Sequence, residues 1–211
     1  TVKLVFQPGE EIFKGSKALI EDGILESPKV DAALAYHVGP GKMPVGLHMY
    51  NDKNTMMYSN DGFKITVHGK GAHGAYPHHS IDPIHIAVQI YLGLEEIIAR
   101  EIDSSSPCVM TIGKLVAGEA NNIIPETAEI QGSIRTTSVE NREIMVSRMK
   151  EVASKIAEVY RGTAEVEMIS EVPPLICNPD FTKEILSYMS ELNVPGQMGV
   201  PGIQASASDD F

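Results

Sequence analysis

An ordered series of strand and helix patterns between residues 60 and 170 constrains the fold of this chain more than any other feature. The series begins with an alternation of apolar and polar side chains, typical of a strand with one buried face. Its apolar members are Phe63, Ile65 and Val67. A helix is predicted next over 83–100, since Asp82 is a good N-cap and Pro83 suits the first helical position. The apolar residues that repeat at helical spacing and predict its inward face are Ile84, Ala87, Val88, Tyr91, Leu94 and Ile98.

Two more strands are predicted near 108–116 and 127–136. A second helix follows the capping-box pattern Thr137-Ser138-Val139-Glu140, and alternation returns in a last strand over 163–169. The order is therefore β-α-β-β-α-β, the ferredoxin-like arrangement in which both helices cover one face of one sheet. Because this series is self-contained, we expect it to be an insertion in another domain. The predicted parts are an inserted domain over 59–171 and a second, partial domain made of 1–58 and 172–211.

The first 58 residues have the pattern of a βαβ unit. Residues 2–6 and 30–38 are apolar enough for strands that are buried on both faces, and a helix is predicted between them over 12–25. Strands that are joined in this way lie parallel to each other. The predicted fold class is therefore α/β, with part of a parallel sheet and the inserted ferredoxin-like domain.

Acidic and imidazole side chains follow the two predicted parallel strands. Glu10 and Glu11 come after the first strand, and His37 ends the second. Since parallel strands bring their carboxyl ends to one edge, we expect these side chains to converge, and carboxylate with imidazole suits zinc. Two alternatives stay open: a solvated acid pair at a helix start, and a strand-end histidine bonded to a backbone carbonyl.

Three residues of the predicted insertion could bind a substrate. A mobile glycine-rich loop presents His73, which near neutral pH can donate a hydrogen bond to a developing oxyanion. Asn122 lies in a turn between two strands, and Arg135 stands on the polar face of the second strand. A guanidinium with a nearby amide can hold a carboxylate. The alternatives are a loop histidine without function, and an arginine paired with Glu129 or Glu165 across the open sheet face.

Composition limits the partners of this chain. The formal net charge is −11 and the pI is about 5.0, which argues against nucleic acid and anionic membrane surfaces. No apolar run is long enough to span a bilayer. Cys108 and Cys177 do not make a disulfide framework, which favours a reducing compartment and a cytoplasmic location. Asp209 and Asp210 near the last residue are either carboxylates that support a site or a frayed acidic tail.

Six motifs occur in a characteristic order: Phe-Gln-Pro-Gly-Glu-Glu at 6–11, His-Val-Gly-Pro at 37–40, Gly-Lys-Gly-Ala-His-Gly-Ala-Tyr-Pro-His at 69–78, Ile-Asp-Pro at 81–83, Asn-Ile-Ile-Pro at 122–125 and Arg-Thr at 135–136. Together they resemble the zinc-peptidase family of aminoacylases and carboxypeptidases. The most similar branch is that of the amidohydrolases that cleave N-acyl amino acids, such as hippurate hydrolases, indoleacetyl-amino-acid hydrolases and N-acetyldiaminopimelate deacetylases.

The resemblance implies a role for each candidate residue. Glu10 would be the general base, and Glu11 and His37 would be metal ligands. His73 would polarise the scissile carbonyl, in this family often in the site of a neighbouring subunit, while Asn122 and Arg135 would hold the free carboxylate of the substrate. The cofactors would be two divalent ions, with zinc expected and manganese, cobalt or nickel as alternatives. Residues 1–58 and 172–211 would be parts of a catalytic domain, and the inserted domain would be a lid and dimerisation domain. The expected partners are therefore a small N-acyl amino acid and a second copy of the chain.

The implied function is a metal-dependent amidohydrolase that uses a metal-activated water. The alternatives are a dimerisation or binding module without activity, and an exopeptidase that acts on dipeptides. The resemblance also implies that the chain is a piece of a longer protein, because the upstream Cys/His metal segment and a downstream metal histidine of the family are absent. Two ligands rarely hold zinc tightly. We therefore expect these 211 residues alone to bind little or no metal and to be inactive.

Overall fold

The computed structural model describes residues 1–39, 43–192 and 194–211 of the chain. Pro40, the last residue of the His-Val-Gly-Pro motif, lies outside these ranges. The chain divides into two compact units, which we name unit 1 (Thr1–Tyr58 with Pro174–Phe211) and unit 2 (Ser59–Pro173). The mixed α/β fold class is confirmed. That the units are a catalytic domain and its insertion stays a prediction.

Helices and strands are distributed over both units. The helices are α1 (Gly15–Glu21), α2 (Pro83–Arg100), α3 (Val139–Val159) and α4 (Pro179–Glu191). The strands are β1 (Leu47–Met49), β2 (Thr55–Met57), β3 (Asn60–His68), β4 (Ala72–His73), β5 (Cys108–Ala117), β6 (Ile123–Ile124), β7 (Thr127–Thr136), β8 (Thr163–Val172), β9 (Leu175–Ile176) and β10 (Met198–Val200). In the described residues, no helix has the length and apolar content that crossing a membrane requires.

Unit 2 contains the β-α-β-β-α-β series that the sequence predicts. Four antiparallel strands form one sheet in the order β5-β7-β3-β8, and α2 and α3 pack against it and against each other. The fully buried core alternates along the strands: Ile65 of β3 lies opposite Ile130 of β7. The side chain of Asp82 caps α2, as predicted. The cap of α3 is Ser138, which accepts a hydrogen bond from the Asn141 amide (3.3 Å).

The predicted inward face of α2 is partly wrong. Ala87 and Leu94 are buried, but Ile84, Val88 and Tyr91 are 38%, 42% and 37% exposed. The residues that are buried instead are Ile86, Ile90 and Ile97. Because α2 carries apolar side chains on more than one face, spacing alone does not define which face the sheet covers. The helix therefore keeps a second apolar face outside the core of its own unit.

Unit 1 differs from the sequence prediction in its first 39 residues. The predicted strands at 2–6 and 30–38 are wrong: neither stretch is a strand, and Phe6 and Val38 are 89% and 93% exposed. A strand needs a hydrogen-bonded neighbour, and none of the described residues pairs with either stretch. The predicted helix over 12–25 is shortened to α1. The parallel pairing in this unit joins β1 to β10, and β2 pairs with β9 in antiparallel fashion.

Candidate metal-binding and catalytic site

A tight turn carries the predicted acid pair. Glu10 and Glu11 begin a single 3-10 turn that follows Gly9, whose φ of 67° is the left-handed conformation that glycine adopts without strain. The amide of Phe13 closes the turn by donating to the carbonyl of Glu10 (2.8 Å). Gly15 then packs directly on Pro8, since a Cβ at Gly15 would lie 1.6 Å from the Pro8 carbonyl oxygen. The backbone of the turn that carries both acids is therefore closely constrained.

Three carboxylates meet at this turn. One oxygen from each of Glu10, Asp209 and Asp210 lies within 4.8 Å of the other two. Burial raises the pKa of Glu10 above its usual value, and the negative charges of Asp209, Glu11 and Asp210 raise it further. Because the three carboxylates repel one another when they are charged, a divalent cation bound among them would stabilise their charged forms. Carboxylates are good ligands for such ions. We name Glu10, Asp209, Asp210 and His37 the acid–imidazole cluster.

His37 joins this cluster through Asp209. Its Nε2 is hydrogen-bonded to the Asp209 carboxylate, and its side chain is 60% exposed. That hydrogen bond raises the pKa of the imidazole, and the charges of Asp209, Glu10 and Glu11 act in the same direction, while burial opposes them. The structure thus brings His37 to Glu10, although the two strands that were expected to do so do not form. Glu11 is exposed and does not belong to the group of three carboxylates.

Asp209 and Asp210 were left open by the sequence, and the structure excludes a frayed tail for both. Asp209 is only 7% exposed. Asp210 accepts hydrogen bonds from the Gln7 side chain (2.5 Å) and from the Ser16 amide (3.1 Å). The signal in the sequence that could have placed them in the site is the Ser-Asp-Asp-Phe motif at 208–211. Carboxylate and imidazole donors of this kind fit a zinc-type divalent ion.

In unit 2, His73 and Asn122 lie side by side. The predicted mobile loop is instead a hydrogen-bonded ribbon, because β4 pairs with β6 and places His73 opposite Ile123. The Gly74 amide donates to the Asn122 carbonyl (2.7 Å), and the Ala75 amide donates to Nδ1 of His73 (3.1 Å). Both side chains are exposed. The backbone therefore places the two residues next to each other in one hydrogen-bonded ribbon.

Arg135 lies at the other end of the sheet. It occupies β7 opposite Val109, eight residues after Thr127, where this strand begins. At the rise of an extended strand, the separation along β7 is about 27 Å. Asn122 precedes that beginning, beside β4. Within unit 2 of one chain, Arg135 and Asn122 therefore cannot hold the same carboxylate.

Comparison with known proteins defines the class to which this fold and site belong. Residues 58–161 match the peptidase dimerisation domain of the M20 family. The chain is 37% identical over 195 residues to thermostable carboxypeptidase 2 of Saccharolobus solfataricus, covering 91% of this chain and 49% of that protein. It is 34% identical over 211 residues to N-acetylcysteine deacetylase of Bacillus subtilis, covering 100% and 54%.

A solved structure of an M20 family member is also similar to this chain. The structure of a dinuclear metal-binding peptidase of the M20 family from Bacillus subtilis superposes with a TM-score of 0.72 at 30% identity, covering 98% of this chain and 50% of that one. These similarities define an α/β chain with a peptidase dimerisation domain. The chain belongs to the M20 peptidase family, which confirms the resemblance noted in the sequence. It spans about half the length of the curated relatives that it matches.

Proposed function

We propose that the protein to which this chain belongs is a metal-dependent amidohydrolase that cleaves the amide bond of N-acyl amino acids. The acid–imidazole cluster of unit 1 is the observation that carries this proposal, because it gathers carboxylate and imidazole donors around Glu10. The similarity to N-acetylcysteine deacetylase supports the substrate class. A cytoplasmic location is proposed as well, since Cys108 and Cys177 are free thiols.

Each residue of unit 1 has a proposed task. Glu11 and His37 would be metal ligands. Two divalent ions are expected, with zinc as the expected metal, and when bound they would supply Lewis acidity and lower the pKa of a bound water. Glu10 takes the proton of the attacking water and returns it to the amine nitrogen that leaves. The raised pKa of Glu10 makes its carboxylate a stronger base toward the attacking water.

The residues of unit 2 are proposed to bind the substrate. His73 donates a hydrogen bond to the oxygen of the scissile carbonyl, which gains negative charge during attack. Arg135 and Asn122 hold the free carboxylate. Since these two lie at opposite ends of β7 in one chain, we propose that they come from two copies, with Asn122 and His73 acting together in the site of the partner.

We propose that the homodimer forms through unit 2, on the side of β5 and α2. β5 is an edge strand of the sheet, and Val109, Leu115 and Val116 are exposed on it. Helix α2, which packs against β5, presents its second apolar face on the surface of unit 2. The opposite edge, β8, carries the acidic residues Glu165, Glu167 and Glu171. Two copies of an acidic edge repel each other, whereas two apolar edges can pair.

A matched pair of substitutions tests this interface. Val116→Lys on β5 and Ile169→Lys on β8 replace apolar strand residues that are 53% and 58% exposed. Sedimentation equilibrium should show a monomer for Val116→Lys and an unchanged dimer for Ile169→Lys. A dimer that survives Val116→Lys and dissociates with Ile169→Lys would assign the interface to the other edge.

Hydrolysis assays test the proposed activity. The purified complete protein, loaded with zinc or manganese, should release free amino acid from N-acetyl amino acids, and Glu10→Gln should not. The similarity to thermostable carboxypeptidase 2 favours one other candidate, an exopeptidase that acts on dipeptides. Faster hydrolysis of a dipeptide than of the N-acetyl form of its amino acid would establish that alternative. Inactivity on both substrate classes with metal present would refute the hydrolase proposal.

A further inference from the structure

Asp209 is the most buried charged group of the acid–imidazole cluster. Only 7% of the residue is exposed, whereas Glu10 and Asp210 are half-buried. Both of its oxygens are in use: Oδ1 accepts a hydrogen bond from the Phe211 amide (2.7 Å), and Oδ2 contacts Nε2 of His37. A buried carboxylate is costly unless it is paired and hydrogen-bonded. Its contacts therefore fix both the carboxylate and the ring beside it.

The imidazole of His37 needs such a partner. It stands on an irregular segment, and its side chain is 60% exposed, so packing does little to fix its two side-chain torsions. Asp209 is 172 residues away in sequence and nevertheless makes the contact. A carboxylate that accepts the N–H of a ligating histidine fixes its tautomer, orients its ring and increases its basicity.

We propose that Asp209 is a positioning residue: it accepts the Nε2 proton of His37 and thereby holds Nδ1 ready to bind the metal. This inference rests on the proposed function, in which His37 is a metal ligand. Asp210 has a different role, because its two carboxylate oxygens accept hydrogen bonds from the Gln7 side chain and the Ser16 amide, on either side of the turn that carries Glu10. Asp209 and Asp210, which are adjacent in sequence, thus position His37 and the turn that carries Glu10, respectively.

A double-mutant cycle on metal affinity tests the proposal. Zinc affinity of the complete protein is measured by chelator competition for the wild type, Asp209→Asn, His37→Ala and the double variant. Asp209→Asn should bind zinc about 10–100-fold more weakly, and it should still reach the wild-type stoichiometry at saturation. In the His37→Ala background, the same substitution should change affinity less than about twofold, because the residue it acts through is gone.

Two further variants complete the design. Asp180→Asn, on the 97% exposed Asp180 of α4, should leave zinc affinity unchanged. Asp209→Glu keeps the charge and should restore affinity to within a few-fold of the wild type, and it replaces the Asn variant if circular dichroism shows that variant to be unfolded. The absorption spectrum of the cobalt form should change with Asp209→Asn and recover with Asp209→Glu.

Specific results overturn the inference. Unchanged affinity of Asp209→Asn would remove any role in metal binding. Loss of one metal equivalent at saturation, or an equal loss of affinity with and without His37, would make Asp209 a ligand rather than a positioning residue. A wild type that binds none of zinc, manganese, cobalt or nickel would instead refute the proposed function itself, so the two failures are distinguishable.

Discussion

A buried ion pair in unit 2 gives a prediction whose magnitude follows from the structure. Asp61 of β3 is fully buried, and Arg142 of α3, whose side chain is 20% exposed, donates to both of its oxygens over 2.6–3.0 Å. Removing the cation leaves a buried carboxylate without its charged partner, so Arg142→Met should cost about 3–5 kcal/mol of unfolding free energy. Asp61→Asn should cost less, about 1–3 kcal/mol, because Arg142 still reaches solvent and lies 4.0 Å from Glu171.

The loss should also depend on pH in a defined direction. Burial raises the pKa of Asp61, and the hydrogen bonds from Arg142 oppose that rise. In Arg142→Met only the weaker opposing effect of the Ser59 hydrogen bond remains, so the pKa of Asp61 rises further. A carboxyl whose folded-state pKa lies above its unfolded value destabilises the fold at pH values above both, and the loss is regained as the pH falls below the folded-state pKa.

Urea unfolding at pH 7.5 and at lower pH measures both effects. The difference between Arg142→Met and the wild type should shrink as the pH is lowered, while the smaller difference for Asp61→Asn should not shrink in this way. Equal losses for the two substitutions, or a loss for Arg142→Met that is the same at every pH, would refute the reasoning.

Three other predictions concern the site. Gly15→Ala places a Cβ 1.6 Å from the Pro8 carbonyl oxygen and should lower both thermal stability and metal content, whereas Gly113→Ala, with nothing within 4 Å, should be neutral. Dialysis against a chelator should abolish hydrolysis, and added zinc or manganese should restore it; activity that survives chelation would exclude a metal-dependent reaction. Mixing inactive Glu10→Gln and His73→Ala subunits should restore about a quarter of wild-type activity, because half of the dimers are mixed and one of their two sites is intact. Activity that stays at the level of the unmixed variants would place His73 in the site of its own chain.

The sequence predicts unit 2 well because its strands find their partners within the described chain. Alternation along β3 and β7, with a capped helix between strands, is a local signal, and every strand of the sheet has a neighbour. The continuous apolar run at residues 2–6 gave a wrong prediction, since an apolar run is a strand only where another strand pairs with it. The buried face of α2 failed for a related reason: spacing does not separate a core face from a face that another copy could cover.

The candidate site was predictable in part. The motif at 6–11 and His37 identify the acid pair and the imidazole, and the structure brings His37 and Glu10 into one cluster. The Ser-Asp-Asp-Phe motif at 208–211 marks Asp209 as a candidate, but its contact with His37 was not predictable, because it spans 172 residues and depends on the path of the segment after β10. The separation of Asn122 from Arg135 needed the register of β7.

Metal content of the Glu10→Gln variant tests the central claim most directly. Proton transfer is assigned to Glu10 and metal binding to Glu11 and His37, so the variant should keep the metal of the wild-type protein, measured by atomic emission on matched samples. Its turnover of N-acetyl amino acids should fall by at least about 100-fold, the contribution typical of a general base. Loss of metal together with activity would contradict the account, because Glu10 would then be a ligand and the division of tasks between the two adjacent acids would be wrong.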